Sequence, residues 1–145
     1  MKRLNPRPRP AVHFVIFAAT LGLAAAPLFA ADRLRAGEWE FTTTRAGAEP
    51  NTFKHCVTPE EALMANGDTK TARGAAEKKS AGKCAITAYS TAGNAVSYAM
   101  TCGKVSLRSK ATYTGDTSQG ELVSKAEGAP EVVSHIKARR IGDCP

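Results

Sequence analysis

Beyond residue 33, apolar and polar residues alternate with period two through most of the chain, the pattern of strands with one buried face. Within Leu34–Thr44, LRAGEWEFTTT, Trp39 and Phe41 alternate with Glu38, Glu40 and Thr42 and predict an opening strand. A turn over Ala46–Pro50 leads to Asn51–Val57, a strand carrying Phe53, His55 and Val57 on one side. The clearest pairing signal is Lys83–Gly103, two runs joined at Gly93-Asn94. This is a two-residue hairpin turn in which glycine accepts a positive φ without steric penalty. It sets Thr91 opposite Val96 and Tyr89 opposite Tyr98. Farther out, Ile86 and Cys84 fall out of step with Tyr89, while Val96, Tyr98, Met100 and Cys102 keep phase. One extra residue near Thr87-Ala88, a β-bulge, restores the register, with Ile86 facing Met100 and Cys84 facing Cys102. Val105–Tyr113, Glu121–Ala126 and Val132–Ile141 complete the strands, with Gly115-Asp116 and Gly128-Ala129-Pro130 as turns.

One helix interrupts this pattern. Thr58 can cap it, Pro59 sits where its missing N–H costs nothing, Glu61 completes a capping box, and Asn66-Gly67 ends it. The next stretch, Asp68–Lys83, has almost no bulky apolar residue and reads as a solvated excursion with Lys78, Lys79 and Lys83 at its basic tip. Together these elements predict a mainly β fold of about six to eight strands with one short helix, an antiparallel meander or partly closed barrel. In it the helix plugs one end or covers an edge.

Composition changes the picture once the first 30 residues are set apart. Lys2, Arg3, Arg7 and Arg9 precede an apolar run over Ala11–Ala26, and Leu28-Phe29-Ala30 offers a small residue at a cleavage position. Residues 1–30 therefore read as a signal peptide rather than a retained membrane anchor, since Pro27 breaks the run. No cysteine follows the cut to take a lipid, and no second hydrophobic segment offers a membrane span. Residues 31–145 are left as a single β-rich domain. Of 20 Lys and Arg, four leave with the leader; 16 against 13 acidic residues gives about +3 in place of +7. A charge that small and dispersed does not predict nucleic-acid binding. Export into an oxidising compartment makes the four cysteines two disulfides. Gaps of 27, 17 and 41 residues contain no Cys-x-x-Cys for zinc or redox work. The bulged hairpin favours Cys84–Cys102, leaving Cys56–Cys144; the rival is sequential pairing, Cys56–Cys84 with Cys102–Cys144.

Candidate chemistry is sparse. Trp39, the sole tryptophan, could stack on a ligand, but large aromatics more often anchor a core. His55 and Cys56 are adjacent on a strand, so their side chains diverge, and a disulfide-bonded cysteine is no nucleophile. Glu60 and Glu61 fit the first turn of a helix better than acid–base work. His135, Lys137 and Arg139 share one face of the last strand with Val133. With Lys78 and Lys79 they are the candidate contacts for an anionic partner, against the plainer reading of solvated surface.

Three blocks carry a resemblance: Gly37-Glu38-Trp39-Glu40 before a threonine run, Cys56-Val57-Thr58-Pro59-Glu60, and Arg139-Arg140-Ile141-Gly142-Asp143-Cys144. With the Gly93-Asn94 hairpin ending in Met100-Thr101-Cys102 and the Tyr113-Thr114-Gly115-Asp116 turn, the chain from about Leu34 to Cys144 resembles the exported bacterial family called domain of unknown function 3617. The resemblance implies a small periplasmic β-rich protein and brings no activity, cofactor or catalytic residue. The chain lacks that family's Met-, Gly- and Pro-rich segments; Met64 and Met100 are the only methionines after the leader, so methionine-cluster copper binding has no support. The expectation is a non-enzymatic binding or interaction module of the cell envelope, meeting an envelope protein or a small ligand. The alternative is an inhibitor of an exported hydrolase, though not of a basic lysozyme-type enzyme, since this domain is basic too. An enzyme using His55 or His135 with a carboxylate ranks last, because no spacing supports it. Non-reducing peptide mass spectrometry of the exported protein is expected to recover Cys84 linked to Cys102; a Cys56–Cys84 peptide would sink the bulge argument.

Overall fold

Seven strands and two helices form in a computed structural model that describes residues 32–145, so the expected signal peptide lies outside the described residues. They are β1 (Gly37–Arg45), β2 (Asn51–Val57), α1 (Pro59–Asn66), α2 (Thr69–Ser80), β3 (Ala85–Ala92), β4 (Ala95–Cys102), β5 (Val105–Tyr113), β6 (Thr117–Ala126) and β7 (Val132–Gly142). All pair antiparallel in one sheet of order β2-β1-β7-β6-β5-β4-β3. Strands β3 to β7 are a meander, and β7 returns to pair with β1.

The β3–β4 hairpin has the expected register. Thr91 pairs with Val96, Tyr89 with Tyr98 and Ile86 with Met100, with the irregularity falling between Ile86 and Ala88. Cys84 is joined to Cys102 with Cα atoms 4.2 Å apart, and Cys56 to Cys144 at 5.4 Å.

Of the two forms expected, the sheet takes the open meander: β2 and β3 are its edges and do not pair, so it does not close into a barrel. Two expectations need correction. Asp68–Lys83 is not a loop, because Thr69–Ser80 forms α2. Asp68 caps it by accepting from the Thr71 N–H at 2.8 Å, Arg73 pairs with Glu77 one turn on, and Ala72 and Ala76 supply a buried face. A helix can bury alanines alone where a neighbour lies close, which a search for bulky apolar residues misses. Finally, β6 starts at Thr117, four residues before Glu121. Its opening Ser118-Gln119-Gly120 has no apolar face to betray it, and at Gly120 a Cβ would come within 2.8 Å of the Ala111 Cβ.

Trp39 is fully buried with Val57, Ala62 and Ala138, flanked by Leu34 and Phe41, and its indole N–H donates to the Arg35 carbonyl at 2.9 Å. It is a core anchor rather than a ligand platform; truncating such a residue to alanine typically costs about 3–5 kcal/mol. The blocks that carry the resemblance meet around it. Glu38 pairs with Cys56 and with Gly142, Trp39 pairs with Arg140, and Cys56 is bonded to Cys144. Gly37, at φ 142°, lies where a Cβ would approach Gly142 O and Arg140 Nε to 2.5 Å. Gly37→Ala is therefore expected to lower stability by about 1–3 kcal/mol. An unchanged urea midpoint for that variant would show that the corner has slack.

Candidate functional site

The two helices form a hairpin that doubles back. Glu61, in the first turn of α1, bonds Lys79 in the last turn of α2, which places the beginning and end of the pair side by side. Glu61 is the hub of this corner. One oxygen accepts from the Thr58 N–H at 3.0 Å and meets His55 Nε2 at 3.1 Å, while the Glu61 N–H donates to Thr58 Oγ1 at 3.1 Å. The capping box is thus formed as its sequence predicts, with two extra partners. Burial works against the Glu61 charge, but Lys79, the Thr58 N–H and His55 outweigh it and hold the carboxyl down at about 2.

Other contacts set the hairpin onto the sheet. Arg33 donates to the Ala65 and Gly67 carbonyls at 2.6 and 3.2 Å, where α1 ends, and to Gly93 O in the β3–β4 turn. Asn66 exchanges two hydrogen bonds with the Leu34 backbone, at 2.9 and 2.8 Å. From α2, Arg73 donates to Ile86 O at 2.9 Å. The buried residues of both helices, Ala62, Ala65, Ala72 and Ala76, are all small.

Between hairpin and sheet lies a cleft of about 350 Å³. The helices contribute Met64, Ala65 and Ala76; the sheet contributes Val96, Met100, Tyr89, Tyr98 and Tyr113; Leu34 closes one side, and Glu61, Lys79 and Ser80 stand among the lining. Tyr89 and Tyr98 stack with centroids 5.9 Å apart, and the Tyr89 hydroxyl donates to Met64 O. Burial, then the neighbouring Tyr113 and Tyr98, pushes the Tyr89 phenol up to about 12; burial and Tyr98 raise Tyr113 as well. The Tyr89 and Tyr113 phenols are therefore neutral at any physiological pH. An apolar cleft of this size with a few fixed polar groups has the composition of a small-molecule site.

The residues singled out from sequence fall elsewhere. His135, Lys137 and Arg139 lie together on the opposite face of the sheet, where Glu40 binds Arg139 at 2.8 and 3.0 Å and Glu121 lies 3.8 Å from His135. Lys137 is flanked in register by Thr42 and Gln119. Lys78 and Lys79 are on α2, apart from that face, so the five do not form one patch. His55 is bonded to Glu61, and Cys56 to Cys144. Sequence reasoning did not select the three tyrosines as a site. The signal was present, since the hairpin register puts Tyr89 beside Tyr98 and the next strand carries the same face on to Tyr113; the missing piece was α2. Among the described residues no three His, Cys, Asp or Glu side chains converge as a metal would require, and no helix is long and apolar enough to cross a membrane.

An open, disulfide-joined antiparallel sheet with a helical hairpin over one face defines this protein. The chain belongs to the family described as "Protein of unknown function (DUF3617)", which matches residues 34–144. No curated protein and no solved structure matches it.

Because the folded Glu61 carboxyl sits below its ordinary 4.5, its charge stabilises the fold fully above that value and progressively less as pH falls toward 2. Glu61→Gln keeps a capping side chain but not the charge. Its stability is expected to be lower than wild type at neutral pH and to vary less between pH 4.5 and 2. Parallel curves in denaturant titrations across that range would contradict the hub.

Proposed function

We propose that the protein is a non-enzymatic binding module of the cell envelope, exported by its N-terminal leader, that holds a small ligand in the cleft between helical hairpin and sheet. The observation that carries this reading is the cleft itself: an apolar lining, three tyrosines, and polar groups that mostly satisfy one another. The leader-like sequence of residues 1–30 and the two disulfides support a place in an oxidising compartment. Binding suits the site better than catalysis, because its one ion pair joins two helices instead of activating a group.

Native mass spectrometry tests it on protein recovered from the periplasm, where the chain is expected to begin at Ala31. After incubation with envelope extract, wild type is expected to carry a small molecule released by denaturation. Met64→Trp, which fills the cleft, is expected to carry none while keeping its melting temperature within a few degrees. No mass gained by either protein on incubation with extract would remove the reading.

A further inference from the structure

We infer that the cleft takes a neutral amphipathic ligand: an apolar body the size of a short alkyl chain or single ring, bearing one alcohol, ester or ketone oxygen that the Tyr98 and Tyr113 hydroxyls engage. This rests on the cleft being a binding site and specifies what it selects.

Size comes first. A space of 350 Å³ equals about a dozen water volumes, room for a ligand body of about as many non-hydrogen atoms. A full phospholipid or an oligosaccharide would extend well beyond it.

Charge comes second. Glu61 already holds Lys79, the Thr58 N–H and His55, so neither sign is left uncompensated in the lining. A carboxylate or ammonium entering the cleft would lose hydration without meeting a free counter-charge, which makes binding of an ion unfavourable relative to its neutral analogue.

The polar inventory decides the head group. The Tyr89 hydroxyl is spent on Met64 O, and the Ser80 hydroxyl donates to Glu77 O at 2.8 Å with Cys84 O at 3.3 Å. Tyr98 and Tyr113 are the lining hydroxyls that make no hydrogen bond among the described residues. A phenol beside apolar surface gains most from a partner that brings its own apolar body, since leaving either group unpaired in such a place is costly. A pure hydrocarbon leaves both hydroxyls unmet. An oxygen-bearing amphiphile satisfies them while its body covers Val96, Met100 and Met64, the last two flexible enough to adapt to its shape.

The test is an amide chemical-shift titration of the mature protein with 1-octanol, octanoate and octylammonium, which share a chain and differ in head charge. Saturable shifts at Met64, Val96 and Met100 are expected, with octanol at least tenfold tighter than either ion. The Tyr98→Phe, Tyr113→Phe double variant keeps both rings and deletes hydroxyls with no partner among the described residues, so its fold is expected to be unchanged. It should bind octanol about tenfold more weakly, the worth of two ordinary hydrogen bonds. An ion that binds as tightly as octanol, or an unaffected double variant, overturns the ligand class while leaving the cleft a binding site. No saturable shift with any probe also overturns it. Only if the native mass spectra are empty too does the binding reading fall with it.

Discussion

Strands β2 and β3 follow one another in the chain yet form opposite edges of one sheet, and their connection is the constraint on which the rest depends. Seven flat strands would set those edges about 29 Å apart. The connection does not stretch to cover such a distance, because its two helices double back and the Glu61–Lys79 bond brings its beginning beside its end. The sheet must therefore curl until the two edges approach, and the helical hairpin occupies the gap that strand pairing would otherwise close. This explains why the sheet stays open although its two edge strands are consecutive strands of the chain. Both disulfides secure the arrangement, since Cys56 lies just before the connection and ties it to the tail, while Cys84 lies just after it and ties it to β4. Each links an edge strand to its surroundings where the lid attaches.

Local order was the legible part of this protein. Period-two alternation and a two-residue turn locate strands because both act over a few residues, and the bulge followed from two phases that could not otherwise agree. The capping box of α1 was legible for the same reason. What escaped was the consequence of long-range packing. Ala72 and Ala76 look like neutral residues in a polar stretch until β3 is placed beside them, so α2 resembled a loop. Whether the sheet closes depends on what lies between β2 and β3, and that was the misread segment. Without the helical hairpin, three tyrosines on one face have nothing to enclose, and the charges on the other face, which Glu40 and Glu121 largely answer, stand out in the sequence instead.

The composition of the lid explains the cleft. Both helices bury only alanines, which let them lie close to their neighbours at Trp39 and Ile86 but give them nothing with which to fill the space over the tyrosines. A space of 350 Å³ beside apolar side chains leaves their packing unfinished, which costs stability. Collapse is the ordinary remedy, but here the lid is held at both ends by disulfides and by Glu61, Arg33 and Asn66 between them. A space that can neither remain dry nor close must be wet or occupied. Water meets Tyr98 and Tyr113 but gains little against Val96, Met64 and Met100, so an amphiphile that satisfies both kinds of surface displaces it favourably.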